Sequence, residues 1–533
     1  MGDFMNFKRN VVIRILLTLL VTFIIYYFML PPLNFTSPVF WTFAFIVFAV
    51  YMILGIPFTF RNHIVISKTN FPKQLFFIPS TIICALFLIN FVLSPLFISS
   101  KYASRITINK NGVFSEDINE VNFNSLPLLD KDSSQKLGDR VMGQMPELVS
   151  QFYVSDLYTQ INYNNEIIRV TPLEYSDLFK FFSNSKDGVK GYITVNSVSG
   201  ESKLVKLEKG MKYMPSAYFF KNLYRYIRIK YPTEIFDQEN FEIDNEGNPY
   251  WVIPTVKYNG IGIRKEITGV IIVNPITGET NKYKVGDVPS WIDHVYPSDL
   301  IIEQLDDWGL YSNGFFNSIF SQKNVTMTTT GYNYTVMNDD VYLYTGITSV
   351  SNDEANIGFV LSNLRTKETV YYEVPGAEEY SAMASAEGQV QQMNYTATFP
   401  LLINLNGRAT YLISLKDNAG LVKMYAFVDV VDYQKVVVTD SSKGIEVAAK
   451  NYLSSADFKM NSDSLITEDI VIFSITSATI DGTTYYYITS TDNRKFRLSV
   501  KLDEFRVPFL NSGNTINISY NSNKDVIEVL KLN

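Results

Sequence analysis

GVIIVNPITGETNKYKV, residues Gly269 to Val285, and GYITVNSVSGESKLVKL, residues Gly191 to Leu207, align without gaps. They share Gly, Ile, Val, Asn, Gly, Glu and Lys at equivalent places. Each is an apolar run, a polar turn and a second alternating run, the pattern of a β-hairpin. Gly200 and Gly278 fall where such a turn needs positive φ. A further copy, Gly358 to Val374 (GFVLSNLRTKETVYYEV), matches the Gly269 segment at Gly, Asn, Thr, Glu, Thr, Tyr and Val. Lys367 takes the glycine's place there, which predicts a different turn. Tyr411 to Phe427 (YLISLKDNAGLVKMYAF), with Gly420, reads as a fainter fourth copy.

The flanking segments repeat as well. EIIRVTPLEY (Glu166 to Tyr175) and NPYWVIPTVKY (Asn248 to Tyr258) share a Val-x-Pro core, and VYLYTGITSV (Val341 to Val350) is a looser analogue. Helical patterns intervene at Ser133 to Leu148, Pro215 to Tyr231, Pro297 to Leu310 and Ala377 to Met393. Self-similarity of this kind predicts an α+β array of one helix plus a three-stranded antiparallel unit, over 100–210, 211–296, 297–376 and 377–435. From Val436, five short alternating runs separated by turns such as Asp481-Gly482 predict a small β-barrel of OB or SH3-like type, 436–533.

A helix followed by strands ending in V-x-N/D-x-x-T-G-E resembles the PepSY module of bacterial envelope proteins and of propeptides that inhibit peptidases. The match covers about Ser216 to Val285, centred on Asn274, Pro275, Thr277, Gly278 and Glu279. A second lies near Ser133 to Leu207, on Asn196, Gly200 and Glu201. The resemblance implies a module that binds proteins or regulates peptidases on the outer face of a membrane. It brings no catalytic residues.

Ahead of the array stand three apolar stretches, predicted to span a membrane at 11–31, 39–60 and 75–99. Each is close to the ~20 residues that cross ~30 Å of hydrocarbon. The tail 1–10 and the loop 61–74 carry Lys8, Arg9, Arg61, His63, Lys68 and Lys73, whereas Pro31 to Pro38 is uncharged. Positive segments stay in the cytoplasm, so the body from about Lys101 onward is placed outside. Arg14 is expected to snorkel toward the headgroups. Asn90 and hydroxyls such as Ser80 are the polar groups inside the stretches, which favours an anchor over an ion-coupled carrier.

Composition narrows the chemistry. The one cysteine, Cys84, lies in the third stretch, so the external body has neither disulfide nor thiolate and fits a bacterial envelope. The net charge of -7 and the lack of a basic patch with interleaved aromatics exclude nucleic acid as an expected partner. The body holds one histidine, His294, which a nucleophile triad would pair with Ser290 or Ser298 and Asp293 or Asp299. No G-x-S-x-G elbow accompanies it. Zinc needs more Cys or His than the body has, and Asp244-Asn-Glu-Gly-Asn is an acidic turn rather than a calcium loop.

A glycosidase-type acid pair would draw on Asp306 and Asp307, Asp339 and Asp340, Asp353 and Glu354, or Glu378, Glu379 and Glu387. Each cluster also reads as a solvated turn or helix face. The expectation is therefore no catalytic residue, metal or cofactor. The favoured reading is a multi-pass envelope protein, partnered by the lipid bilayer, whose repeats bind or regulate an envelope protein. The alternatives are a carboxylate-dependent hydrolase of wall polymer or surface glycan, and an accessory subunit of a transport or secretion complex.

Overall fold

In the computed structural model the structure describes residues 2–54, 74–123, 126–337, 339–350, 352–455, 466–480, 483–520, 526–529 and 531–532. The chain forms two compact units, Met1–Tyr452 and Leu453–Asn533. The second begins at Leu453 and not at Val436, because Val436–Asp440 pairs with Val422–Asp429 as the last strand of a sheet in the first unit.

Twelve helices are described: α1 (Gly2–Met29), α2 (Pro38–Ile53), α3 (Gln74–Val92), α4 (Pro95–Ala103), α5 (Phe114–Asp117), α6 (Lys131–Gly143), α7 (Pro146–Val149), α8 (Leu178–Asn184), α9 (Leu223–Lys230), α10 (Ser298–Tyr311), α11 (Glu379–Gly388) and α12 (Ile445–Ser455). The expectation of three transmembrane helices is corrected here. Among the described residues one unbroken helix, Val11–Met29 of α1, is long and apolar enough to cross a membrane. α2 has 16 residues, so at ~1.5 Å per residue it rises only ~24 Å. α3 and α4 bend by 56° and count as at most one broken span. The sequence explains the bend, since Ser94 is extended and Pro95 opens α4, and proline cannot continue the preceding hydrogen-bond ladder. The charged loop 61–73 lies outside the described residues.

α1 and α2 form a hairpin. Arg14 is held by α2: its Nε donates to the Tyr51 carbonyl at 2.7 Å and its guanidinium lies 3.7 Å over the Tyr51 ring. A cation at the C-terminal end of α2 also suits the helix dipole.

Four sheets of the first unit share one plan. In each, a broken edge strand pairs with a long strand, which pairs with a third, which pairs with a fourth, all antiparallel. The broken edges are Phe152–Val154 with Thr159–Tyr163, Ile235–Phe236 with Asn240–Ile243, Thr326–Thr328 with Asn333–Met337, and Thr396–Ala397 with Leu401–Leu405. The expected three-stranded unit is thus four-stranded. The third sheet adds Ile108–Gly112 and Gly376–Ala377 as further strands. α6, α9, α10 and α11 precede the four sheets in turn.

The break has a local cause. Ser155, Asp237, Thr329 and Thr398 donate their backbone N–H to the carbonyls of Pro172, Pro254, Gly346 and Ser414, at 2.9 to 3.1 Å. Those four residues are equivalent positions of the long strands. In an antiparallel strand a residue's N–H and C=O point to the same side. In the first two sheets Pro172 and Pro254 have no N–H to offer the edge strand, which suits a parting there; the third and fourth sheets part at Gly346 and Ser414 without a proline.

The turn between the third and fourth strands repeats at the level of atoms. Asn196, Asn274 and Asn363 each accept on Oδ1 from the amides two and three residues on, at 2.8 to 3.0 Å. Asp429 does the same toward Val431 and Asp432, at 2.9 and 2.8 Å. Asn and Asp are the side chains best suited to this local cap. The fourth copy is therefore at Met424 to Asp440, one strand later than Tyr411 to Phe427. Lys367 adopts φ +64°, beside +74° at Gly200 and +80° at Gly278, and so makes the same turn rather than a different one. The left-handed backbone costs a side-chain-bearing residue roughly 1–2 kcal/mol. The Lys367 ammonium offsets this by donating to the Arg105 carbonyl at 2.9 Å and to Gln304 Oε1 at 3.1 Å.

The cores follow from strand alternation. Trp251, Ile253, Ile271 and Val273 of the second sheet pack with Tyr192 and Ile193 of the first. Val252, Val270 and Ile272 face the other way, onto Leu300, Ile301 and Leu305 of α10 and Leu343 of the third sheet. Phe359 of the third sheet packs with α11 and Tyr411, Ile413 and Val428 of the fourth. The array also closes on itself, for Lys416 pairs with Asp130 and Lys136 Nζ donates to the Ala419 carbonyl at 2.7 Å.

The second unit is a six-stranded sheet ordered Ile527–Glu528, Lys495–Ser499, Thr483–Ser490, Ile466–Ile480, Thr515–Tyr520 and Lys531–Leu532. Its two edges do not pair among the described residues, so the expected OB or SH3-like barrel is an open sheet. The 15-residue strand Ile466–Ile480 serves one neighbour with its first half and another with its second. Edge strands of two residues are too short to close the ring.

Candidate functional site

The residues singled out for catalysis are engaged in packing. His294 is buried, and its Nε2 donates to the Gln160 carbonyl at 2.7 Å. Burial holds its imidazole down to about 4, so it is neutral. Ser298 Oγ lies 2.8 Å from the Tyr334 hydroxyl, and Asp299 accepts from the Tyr332 hydroxyl at 3.3 Å. Asp293 accepts from the Asn162 amide at 2.8 Å. No serine–histidine–aspartate chain forms. Instead Glu242 accepts the amides of Asp293 and His294 at 2.9 and 3.2 Å, which ties the first two sheets to the segment leading into α10.

The acid clusters are likewise occupied. Asp306 accepts from the Thr328 amide and hydroxyl at 2.8 and 2.9 Å, and Asp307 pairs with Arg105. Asp340 receives two guanidinium bonds from Arg365, both at 2.7 Å, and Asp339 accepts from Asn162 Nδ2. Glu387 accepts from the Ala397 amide at 2.8 Å, and Glu379 is buried beside Asn356. Asp244 closes its own turn on Glu246 and Asn248. The side chains of Asp353 and Glu354 lie outside the described residues. Among the described residues no three His, Cys, Asp or Glu side chains are grouped to hold a metal ion.

Burial does shift several of these groups. It pushes Glu242 up to about 7 against two backbone donors, and Glu174 up to about 7 against Ser216. Asp293 stands well above the usual carboxylate range, first through burial and then through the neighbouring Glu242 charge. A carboxyl raised by folding holds a proton that the unfolded chain releases, so its stabilisation is complete below the unfolded value of 4.5 and is lost as pH rises to 7. His294, lowered from 6.5, acts oppositely: its contribution is present above 6.5 and lost toward 4. Above pH 6.5 the histidine contribution to the slope fades and the carboxyls dominate. The melting temperature should therefore fall between pH 6.5 and 7.5, and less so in Glu242→Gln or Glu174→Gln. Equal slopes in wild type and both variants would contradict this assignment.

A cleft of about 260 Å³ remains, between the segment after α5 and the third and fourth sheets. Phe114, Ile118, Met337, Leu361 and Leu402 make its apolar wall. Asn404 Nδ2 donates to the Ile118 carbonyl at 2.6 Å, while the Val121 amide donates to the Asn404 carbonyl at 2.9 Å. Glu120 pairs with Asn404 as a parallel bridge. The segment thus lies along Leu401–Leu405 as an added piece of strand. One polar atom of a wall residue, Asn404 Oδ1, is buried without a hydrogen-bond partner. An unpaired buried acceptor costs about 1–3 kcal/mol. Sequence reading missed the cleft because its residues come from three distant segments with no shared spacing.

No family model matches the sequence, and no curated protein matches it. Among solved structures, the crystal structure of an ACO/RPE65 chimera in a monoclinic form is similar over 69% of this chain, at 9% identity and a TM-score of 0.13. The chain spans 59% of that protein's length. At that TM-score the likeness carries no argument about fold or chemistry.

Proposed function

We propose that this is a membrane-attached, extracytoplasmic binding protein whose cleft takes an apolar segment of a protein partner. The observation that carries the reading is the cleft's composition: apolar walls beside a sheet edge that a strand of the chain's own already extends. Strand addition with side-chain pockets is a common mode of peptide recognition. The PepSY-like hairpins support the same class of function. Lys8, Arg9 and Arg14 at the start of α1 support a cytoplasmic N-terminus and an external body. The partner is expected to be another envelope protein, held or regulated rather than chemically altered.

Purification of the tagged full-length chain from its native membranes tests this. Wild type should bring down a stoichiometric protein partner, which Leu402→Trp and Ile118→Trp, both filling the cleft, lose while keeping the wild-type melting temperature. Retention of the partner by both filled variants would remove the cleft from the reading. A monomer that degrades wall polymer, with loss of that activity on Asp→Asn change, would overturn the reading altogether.

A further inference from the structure

Two groups of exposed aromatics start from the places where the apolar helices meet the body. Phe220, 65% exposed, touches Tyr27 in the last turn of α1 with ring centroids 6.3 Å apart, and Phe219 touches Phe182 at 5.9 Å. Arg225 lies 4.0 Å over the Tyr27 ring and donates to the Phe219 carbonyl at 2.7 Å. On the other side, the Tyr102 hydroxyl donates at 3.0 Å to the carbonyl of Leu93, the residue after α3. From Tyr102 a chain of ring contacts runs through Tyr311, Phe315 and Phe316 to Phe320, which is 78% exposed.

Both groups therefore continue the surface on which α1 and α3 end. The same level is fixed by backbone contacts, where Arg228 Nε donates to the Leu30 carbonyl at 3.0 Å and the Gly262 amide to the Thr36 carbonyl at 3.0 Å. Large exposed rings are costly in water and favourable at the headgroup level of a bilayer, with a nearby Arg able to reach phosphate. We infer that Phe182, Phe219 and Phe220 on one side and Phe316 and Phe320 on the other seat the external body on the lipid headgroups around its own helices. The occupant is the bilayer that holds α1, and the inference rests on that membrane reading.

The test uses the full chain in phosphatidylcholine–phosphatidylglycerol vesicles with Cys84→Ser as background. Nitroxide labels go on Phe28→Cys in α1, Phe220→Cys, Phe320→Cys and, as the control in a turn of the fourth sheet, Leu421→Cys. Phe179→Cys, at a position 78% exposed, is a second reporter where loss of Phe220 disturbs Tyr27. Accessibility to oxygen relative to a nickel chelate should be highest at 28, several-fold above the control at 220 and 320, and lowest at 421. Labels at 220 and 320 as open to nickel as 421, with 28 protected, would overturn the inference and leave the membrane reading intact. A label at 28 open to nickel would overturn both. Labels at 220 and 320 closed to oxygen and nickel alike would overturn it in favour of a protein partner or a second copy.

Discussion

Replacing Arg105 by Met is expected to destabilise the first unit by about 3–5 kcal/mol, the usual cost of breaking a buried ion pair from one side. The Arg105 side chain is 3% exposed and gathers Glu266 at 3.1 Å, Glu303 at 2.6 Å and Asp307. Its Nη2 also donates to the Lys265 carbonyl at 2.8 Å, and its own carbonyl accepts from Lys367. One residue just after α4 thus joins the second sheet, α10 and the turn of the third sheet. Met fills the volume but leaves Asp307 without its cation and Glu266 with only Lys367, at 3.9 Å.

The loss should depend on pH. Burial already holds Asp307 above the ordinary carboxylate range despite Arg105, which pulls it down. Without the guanidinium the carboxyl rises further and takes a proton instead of staying charged. Its folded value is then the more strongly raised one, so the penalty is small at pH 5 and grows toward pH 8. Thermal unfolding of Arg105→Met against Arg105→Met/Glu266→Gln/Asp307→Asn measures this, and the triple variant should recover part of the loss. A single variant within about 1 kcal/mol of wild type at pH 8 would show that the cluster contributes little, as exposed pairs do.

What the sequence disclosed follows from where the signal sat. The turn chemistry of Asn196 and Asn274 was legible because Asn followed four residues later by Gly is a local pattern. At Lys367 the same turn was hidden, since its stabilising partners, Arg105 and Gln304, are distant in sequence. Asp429 was overlooked because its loop is one residue longer and has no glycine; its amide meets the Lys435 carbonyl at 3.1 Å. The broken edge strand could have been deduced from Pro172 and Pro254, which remove a donor at the same place in two sheets. Hydropathy overcounted the spans, because apolar content alone records neither the end of α2 at Ile53 nor the bend before Pro95. The cleft was illegible for a different reason, as Phe114, Met337 and Leu402 meet only through the tertiary arrangement.

Asn90→Leu is expected to release the body from the helices without unfolding either. Asn90 lies two residues before the end of α3, and its amide makes two bonds to one residue of the body. Oδ1 accepts the Ile261 N–H at 2.9 Å and Nδ2 donates to the Ile261 carbonyl at 2.8 Å. Ile261 sits in the loop between Pro249–Tyr258 and Lys265–Val273, with φ of +150° at Gly260 and +71° at Gly262. A Cβ on Gly262 would run into Pro38 of α2, so the loop is shaped to approach the helices closely.

Leucine keeps the size of the side chain but strands both Ile261 backbone groups, at about 1–3 kcal/mol each. A local opening eased by about 3 kcal/mol speeds amide exchange by roughly a hundredfold. Hydrogen exchange on the full chain in lipid nanodiscs should therefore rise across residues 259–263, while Trp251 and Ile271 in the core of the second sheet stay protected. Unchanged exchange in that loop would mean that the Arg228 and Thr36 contacts suffice and that Asn90 serves another purpose. Loss of a co-purifying membrane protein with unchanged exchange would assign Asn90 to a helix-packing face and favour the transport-subunit reading. The predicted result instead makes Asn90, near the end of α3, the latch by which the second sheet is held at the membrane surface.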